Sequence, residues 1–158
     1  MGQKEKIQEE QRGREVDAEN DKKTAEAAEK AAGNHLRRAI KIKEFGKYPE
    51  KVEEEAKKAL ADAETAREAA EEASRRSKES VGASKIAKSV ADATKSPDDK
   101  KFSEKIDQSA ARTRRSANGA QKAANNAEKH GEEAKKVAEL TPDGESPARN
   151  PSETKPSK

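Results

Sequence analysis

Small side chains recur along the chain at intervals that alternate between four and three residues. The longest run is Val52, Ala56, Ala59, Ala63, Ala66, Ala70, Ala73 and Ser77, continued in the same register by Ser80, Ser84, Ala87, Ala91 and Thr94. A second run is Phe102, Ile106, Ser109, Thr113, Ser116, Ala120, Ala123, Ala127, His130, Ala134 and Val137. A seven-residue row precedes both: Ala18, Ala25, Ala32 and Ala39. This spacing predicts helices packed along shared seams, and small seam residues predict a close approach of their backbones.

Glycine and proline divide this pattern into three helices, predicted at 21–45, 50–93 and 98–140. Gly46 stands where a left-handed cap would end the first helix, and Pro49 stands at the first position of the second. Ser96-Pro97 gives a second start signal, a serine cap followed by proline. Short connections favour antiparallel neighbours.

Composition limits what such helices can bury. Alanine supplies 29 residues, whereas Leu, Ile, Val and Phe together supply 15, so a core of large interlocking side chains is excluded. We therefore expect an all-α protein, an elongated antiparallel three-helix bundle or coiled coil with Ala-rich seams over residues 20–140. Residues 1–19 are expected to form a flexible acidic arm or a weak helix start, and residues 141–158 a disordered tail. A fluctuating single helix is the alternative.

Charge is nearly balanced in total, with 35 basic and 32 acidic residues, but it is unevenly placed. Residues 50–74 carry a net charge of −5 and residues 75–122 a net charge of +7. In an antiparallel hairpin the basic residues would gather around Ser96-Pro97 as a patch for an anionic partner. The patch comprises Arg75, Arg76, Lys78, Lys85, Lys88, Lys100, Lys101, Lys105, Arg112, Arg114 and Arg115. A solvated face of mixed charge is the plainer interpretation.

The sequence offers no pattern that indicates catalysis. It contains no Cys, and His35 and His130 lack a second His at metal-ligand spacing, so we expect packed or edge-lying imidazoles and neither a metal nor a cofactor. His130 lies on a seam, where charging it would make stability sensitive to pH. No segment has the pattern of a signal peptide or membrane span, so we expect a soluble chain of unknown compartment without a small-molecule substrate.

Two resemblances to known families also point to roles without catalysis. The segment Thr24-Ala25-Glu26-Ala27-Ala28-Glu29-Lys30-Ala31-Ala32-Gly33-Asn34 resembles the 11-residue repeat of group 3 late-embryogenesis-abundant proteins. Those proteins protect against desiccation and fold on drying or on membranes. Residues 20–140, with Ala-, Lys- and Glu-rich stretches such as 59–76 and 120–140, resemble trypanosome three-helix-bundle surface proteins of the invariant surface glycoprotein type.

These features favour a non-enzymatic interaction protein, which presents a charged surface to a protein partner or forms part of a surface coat. Self-association is a further possibility, because heptads pair within and between chains alike. The alternative is a conditionally folding, stress-protective protein that binds anionic membrane surfaces. Nucleic acid is the least favoured partner, because acids interrupt the basic patch and aromatic stacking residues are scarce.

Overall fold

The computed structural model describes residues 2–140, which form three helices: α1 (Gln3–Phe45), α2 (Pro49–Thr94) and α3 (Pro97–Glu139). They pack as a three-helix bundle, which confirms the predicted fold class. The predicted bounds of α2 and α3 each lie within one residue of those observed. The predicted disordered tail, residues 141–158, lies outside the described residues.

Two compact units make up the bundle, and each contains a part of every helix. Within the described residues, unit 1 consists of residues 2–26 and 67–123, and unit 2 consists of residues 27–66 and 124–140. Alanines of the predicted seams form most of the core of both units. Among them, Ala18, Ala25, Ala32, Ala39, Ala59, Ala66, Ala73, Ala120, Ala127 and Ala134 are fully buried.

Of the two alternatives for residues 1–19, the flexible arm is wrong, because α1 already begins at Gln3. The seven-residue row of buried alanines extends back from Ala18 to Gln11, which is 1% exposed. Gly13 lies on the open side of the helix, with nothing within 4 Å of a Cβ built there. Gly13 therefore destabilises the helix only as any glycine in an exposed helix does, by about 1 kcal/mol relative to alanine. Packing on the buried face of α1 can offset that cost.

The connection from α1 to α2 has the predicted signals in the predicted places. Gly46 has a φ of 68° and donates its N–H to the Lys43 carbonyl at 2.9 Å, which ends α1. The carbonyl of Tyr48 accepts hydrogen bonds from the amides of Lys51 and Val52, so Pro49 is the first residue of α2.

Ser96 caps the start of α3, as predicted. Its hydroxyl accepts a hydrogen bond from the Asp99 amide at 3.4 Å, and its carbonyl accepts one from the Lys100 amide at 3.0 Å. Thr94, the last residue of α2, donates its hydroxyl to Asp99 Oδ2 at 2.6 Å. Lys4 of α1 also forms an ion pair with Asp99, so the start of α1 is held against this turn within unit 1.

The core of unit 2 combines alanines with a larger apolar side chain, Leu36. Leu36, Ala56, Ala59 and Ala134 form a buried cluster on which Val137 and Ala138 also pack. Close approach of the helices is visible at Gly131 of α3, where an added Cβ would lie 3.1 Å from Leu60 Cδ2 of α2. Small residues at the seam therefore set the spacing of α2 and α3 in this unit.

Candidate functional site

A layer of polar side chains crosses the core of unit 1. The amide nitrogen of Gln11, Nε2, donates to Ser80 Oγ of α2 at 2.9 Å. It also lies 3.2 Å from Ser109 Oγ and 3.4 Å from Thr113 Oγ1, both of α3. Gln11, Ser80 and Thr113 are essentially inaccessible to solvent, and Ser109 is 8% exposed. One amide thus links all three helices inside this unit.

The layer continues outward to an ion pair between α1 and α3. Ser109 donates its hydroxyl to Glu15 Oε1 at 2.6 Å, and Arg112 Nε donates to Glu15 Oε2 at 2.9 Å. Burial by itself would raise the pKa of Glu15. The hydrogen bonds from Arg112 and Ser109, with the charges of Arg112 and Arg12, outweigh that effect and lower this pKa below its usual range.

Beside this core, α2 and α3 enclose an open groove of about 330 Å³ that we call the basic groove. Its cationic side chains are Lys85 and Lys88 from α2 and Arg114 from α3. Ser84 donates its hydroxyl to Asp107 Oδ1 at 3.0 Å across the groove. The remaining lining residues are the apolar Val81, Ala110 and Ala111.

Three positive charges against one carboxylate make this groove a favourable place for an anion. No ion pair involves Lys85, Lys88 or Arg114 within the part of the chain that the structure describes. Asp107 already accepts a hydrogen bond from Ser84. The three cations are therefore available to an external partner, whose charge they would balance at little cost in internal contacts.

Other members of the predicted basic patch are already paired. Arg76 donates to Asp17 and Asp21 of α1, and Arg112 donates to Glu15 of α1. Arg75 is paired with two glutamates of its own helix, Glu72 and Glu79. The exposed remainder consists of Lys78, Lys100, Lys101, Lys105 and Arg115. All eleven predicted residues lie in unit 1, and three of them, Arg75, Arg76 and Arg112, already have carboxylate partners.

A second open groove, of about 240 Å³, lies between α1 and α3 of unit 1. Lys105 and Arg112 of the predicted patch line it together with Arg12, Glu15 and uncharged side chains of the polar layer and its surroundings. Because Glu15 sits among these cations and already binds Arg112, this groove offers less net positive charge than the basic groove.

Both histidines lie in unit 2 and are half-buried. His35 Nδ1 is 2.7 Å from Glu55 Oε1, and its Nε2 is 3.5 Å from Asp62 Oδ2, so the ring bridges α1 to α2. The His130 ring packs beside Gly33 of α1. Within residues 2–140, no cluster of three or more potential ligands could hold a metal ion. The pH-sensitive seam at His130 stays a prediction.

The sequence-based predictions do not include the residues of α1 that contact the polar layer and the basic patch. The row of Ala18, Ala25, Ala32 and Ala39 gave the signal for Gln11, because one further step of seven residues back from Ala18 reaches it. Gln11 does not match this row of small apolar residues, because its side chain ends in a polar amide. Without a helix there, the partners that Asp17, Asp21 and Glu15 provide for the patch could not be anticipated.

Comparison with known proteins finds no matching family model, no similar curated protein and no similar solved structure. Among the described residues, none of the helices has a stretch both long and apolar enough to span a membrane.

Proposed function

We propose that this chain is a non-enzymatic interaction protein that binds an acidic segment of a partner protein in the basic groove of unit 1. The observation that carries the proposal is the set of three cations, Lys85, Lys88 and Arg114, that face one groove without ion-pair partners in the described chain. The apolar surface of Val81 and of two alanines between them suits the side-chain stems of a peptide.

The direction of the pKa shifts fits carboxylates that form ion pairs within the chain. The pKa values of Glu15, Glu72 and Asp99 are all lowered, chiefly through hydrogen bonds and charges of neighbouring basic residues. Carboxylates of this kind remain charged at neutral pH and form ion pairs, whereas a general acid or base needs a pKa near the working pH. The grooves are open to solvent, which suits docking of an extended surface.

Binding of a fluorescently labelled Glu- and Ala-rich peptide, followed by anisotropy, tests this proposal. The triple variant Lys85→Gln/Lys88→Gln/Arg114→Gln should bind about tenfold more weakly than the unsubstituted protein, since each exposed charge contributes a few tenths to about 1 kcal/mol. The matched control is Lys101→Gln/Lys105→Gln/Arg115→Gln, which removes the same charge outside the basic groove and should change affinity little. Equal losses in the two triple variants would show nonspecific attraction and contradict the proposal.

A further inference from the structure

The turn between α1 and α2 exposes large apolar side chains that contribute little to the core of unit 2. The chain has only three aromatic residues, and two of them flank this turn: Phe45 is 72% exposed and Tyr48 is 52% exposed. Ile40, five residues before Phe45 on α1, is 41% exposed. In a chain so poor in large apolar groups, leaving these in water gives up burial that the core could have used.

Cations surround these apolar groups. Residues 37–51 contain six Lys and Arg against two Glu. Lys51 Nζ lies 5.6 Å from the centre of the Tyr48 ring. Arg38, Lys41 and Lys47 take part in no ion pair within the described chain. Ile40 and Lys41 also line an open concavity on α1 beside Arg38.

The turn is held in one conformation from both sides. Gly46 closes the end of α1 with its positive φ, and the Tyr48 carbonyl caps α2. Phe45 and Tyr48 are therefore presented on an ordered turn, so that binding through them would not require an additional loop to be fixed.

Exposed aromatic and aliphatic groups with lysines beside them match the interface of an anionic bilayer. There the rings sit at the depth of the headgroups while the lysines meet lipid phosphates and carboxylates. A single-stranded nucleic acid would use the rings for stacking but would gain little from the aliphatic Ile40. We propose that this basic-aromatic turn, comprising Ile40, Lys41, Phe45, Lys47 and Tyr48, binds the surface of membranes that contain anionic phospholipids.

A tryptophan reporter tests whether the turn enters the interface. The chain contains no Trp, so Phe45→Trp introduces a single fluorophore at the turn. Vesicles of phosphatidylserine and phosphatidylcholine should shift its emission to the blue and shield it from a water-soluble quencher, whereas phosphatidylcholine alone should not. Val16→Trp, at a 52% exposed site on α1 in unit 1, is the control and should stay unshifted.

Vesicle co-sedimentation of the full chain measures the contributions of rings and charges. Phe45→Ala/Tyr48→Ala should reduce partitioning about tenfold or more. Lys41→Gln/Lys47→Gln should reduce it roughly fivefold per lysine at low salt, and less at physiological salt. Lys129→Gln/Lys135→Gln removes two exposed charges of α3 and should have little effect. Because the replaced side chains are exposed, circular dichroism should show unchanged helicity in every variant.

The proposal is overturned if the protein fails to bind anionic vesicles at low salt, or if Phe45→Ala/Tyr48→Ala binds them as well as the unsubstituted protein does. It is also overturned if a single-stranded oligonucleotide binds more tightly than the vesicles and shifts the emission of the Phe45→Trp variant in their place. The peptide measurement uses the basic groove of unit 1 and no vesicles, so either result leaves it unaffected.

Discussion

Gln11→Ala removes the amide that joins α1 to α2 and α3 in the core of unit 1. The hydrogen bond to Ser80 contributes about 1 kcal/mol, and the buried Ser80 hydroxyl loses a partner at a further cost of about 1 kcal/mol. A lost methylene adds about 0.8 kcal/mol. Two effects oppose these losses. Alanine has a slightly better helix propensity than glutamine, and folding no longer has to order the glutamine side chain, which costs up to about 1.5–2 kcal/mol of rotamer entropy. We expect a net destabilisation of about 1–2 kcal/mol.

Ser80→Ala should behave differently, because Nε2 of Gln11 keeps Ser109 Oγ and Thr113 Oγ1 within 3.4 Å. The Ser80→Ala variant loses one hydrogen bond, but the better helix propensity of alanine partly offsets that loss. We therefore expect its free energy of unfolding to change by no more than about 0.5 kcal/mol. In the Gln11→Ala background the same substitution removes a hydroxyl that has already lost its partner. The double variant should therefore be about 1 kcal/mol more stable than Gln11→Ala, which corresponds to a coupling energy of about 1 kcal/mol.

Urea unfolding followed by far-ultraviolet circular dichroism gives the free energy of unfolding for each variant. Gln108→Ala, at an exposed position on α3, is the matched control and should change stability by less than about 0.5 kcal/mol. The interpretation fails if Gln11→Ala costs no more than Gln108→Ala, or if the effects of the Gln11 and Ser80 substitutions simply add.

Three further measurements follow from the same contacts. Because hydrogen bonds and neighbouring charges lower the pKa of Glu15 below its unfolded value of about 4.3, its stabilising effect is complete above that value. This stabilisation should be lost as the pH falls through the lowered pKa. Chemical unfolding of the Glu15→Gln variant over the same pH range should show a free energy of unfolding that lacks this pH-dependent part. Gly82→Ala, at an open site, should raise the free energy of unfolding by up to about 1 kcal/mol. Gly131→Ala should raise it less, because Leu60 crowds the added Cβ, and urea titrations of the two variants compare these effects. Circular dichroism in plain buffer should show high helicity and a cooperative melt; low helicity that rises only with vesicles would favour conditional folding.

Helix boundaries could be predicted from the sequence because local chemistry determines them. Gly46, Pro49 and Ser96 act through their own backbone and side-chain hydrogen bonds, which do not depend on distant residues. The alanine seams could be predicted for a similar reason, since a period of seven appears in the sequence wherever small residues face a neighbouring helix.

The start of α1 and the pairing of the basic patch depend instead on tertiary contacts. Gln11 is polar, so a search for apolar periodicity passes over it, and its burial becomes intelligible only once Ser80, Ser109 and Thr113 are placed around it. The exposure of Phe45 could not be predicted either. An aromatic residue beside a turn is equally compatible with burial under the helix end.

A core of alanines gives little preference for one alignment of helices over another. If α1 slid by one heptad, about 10.5 Å, most alanines on its row would meet alanines again at small cost. The polar layer does not tolerate that shift, because Gln11 would lose Ser80 and Ser109 and its buried amide would remain unpaired.

The alignment of α2 with α3 matters most for the proposed binding site. A slip of the same size between them would separate Arg114 from Lys85 and Lys88 and would break the hydrogen bond from Ser84 to Asp107. The Gln11 amide contacts both helices, so it favours the one alignment in which these three cations line the same groove. A buried amide that adds modest stability can thus determine where the surface charges lie, and Gln11→Ala should weaken peptide binding even under conditions in which the variant is fully folded.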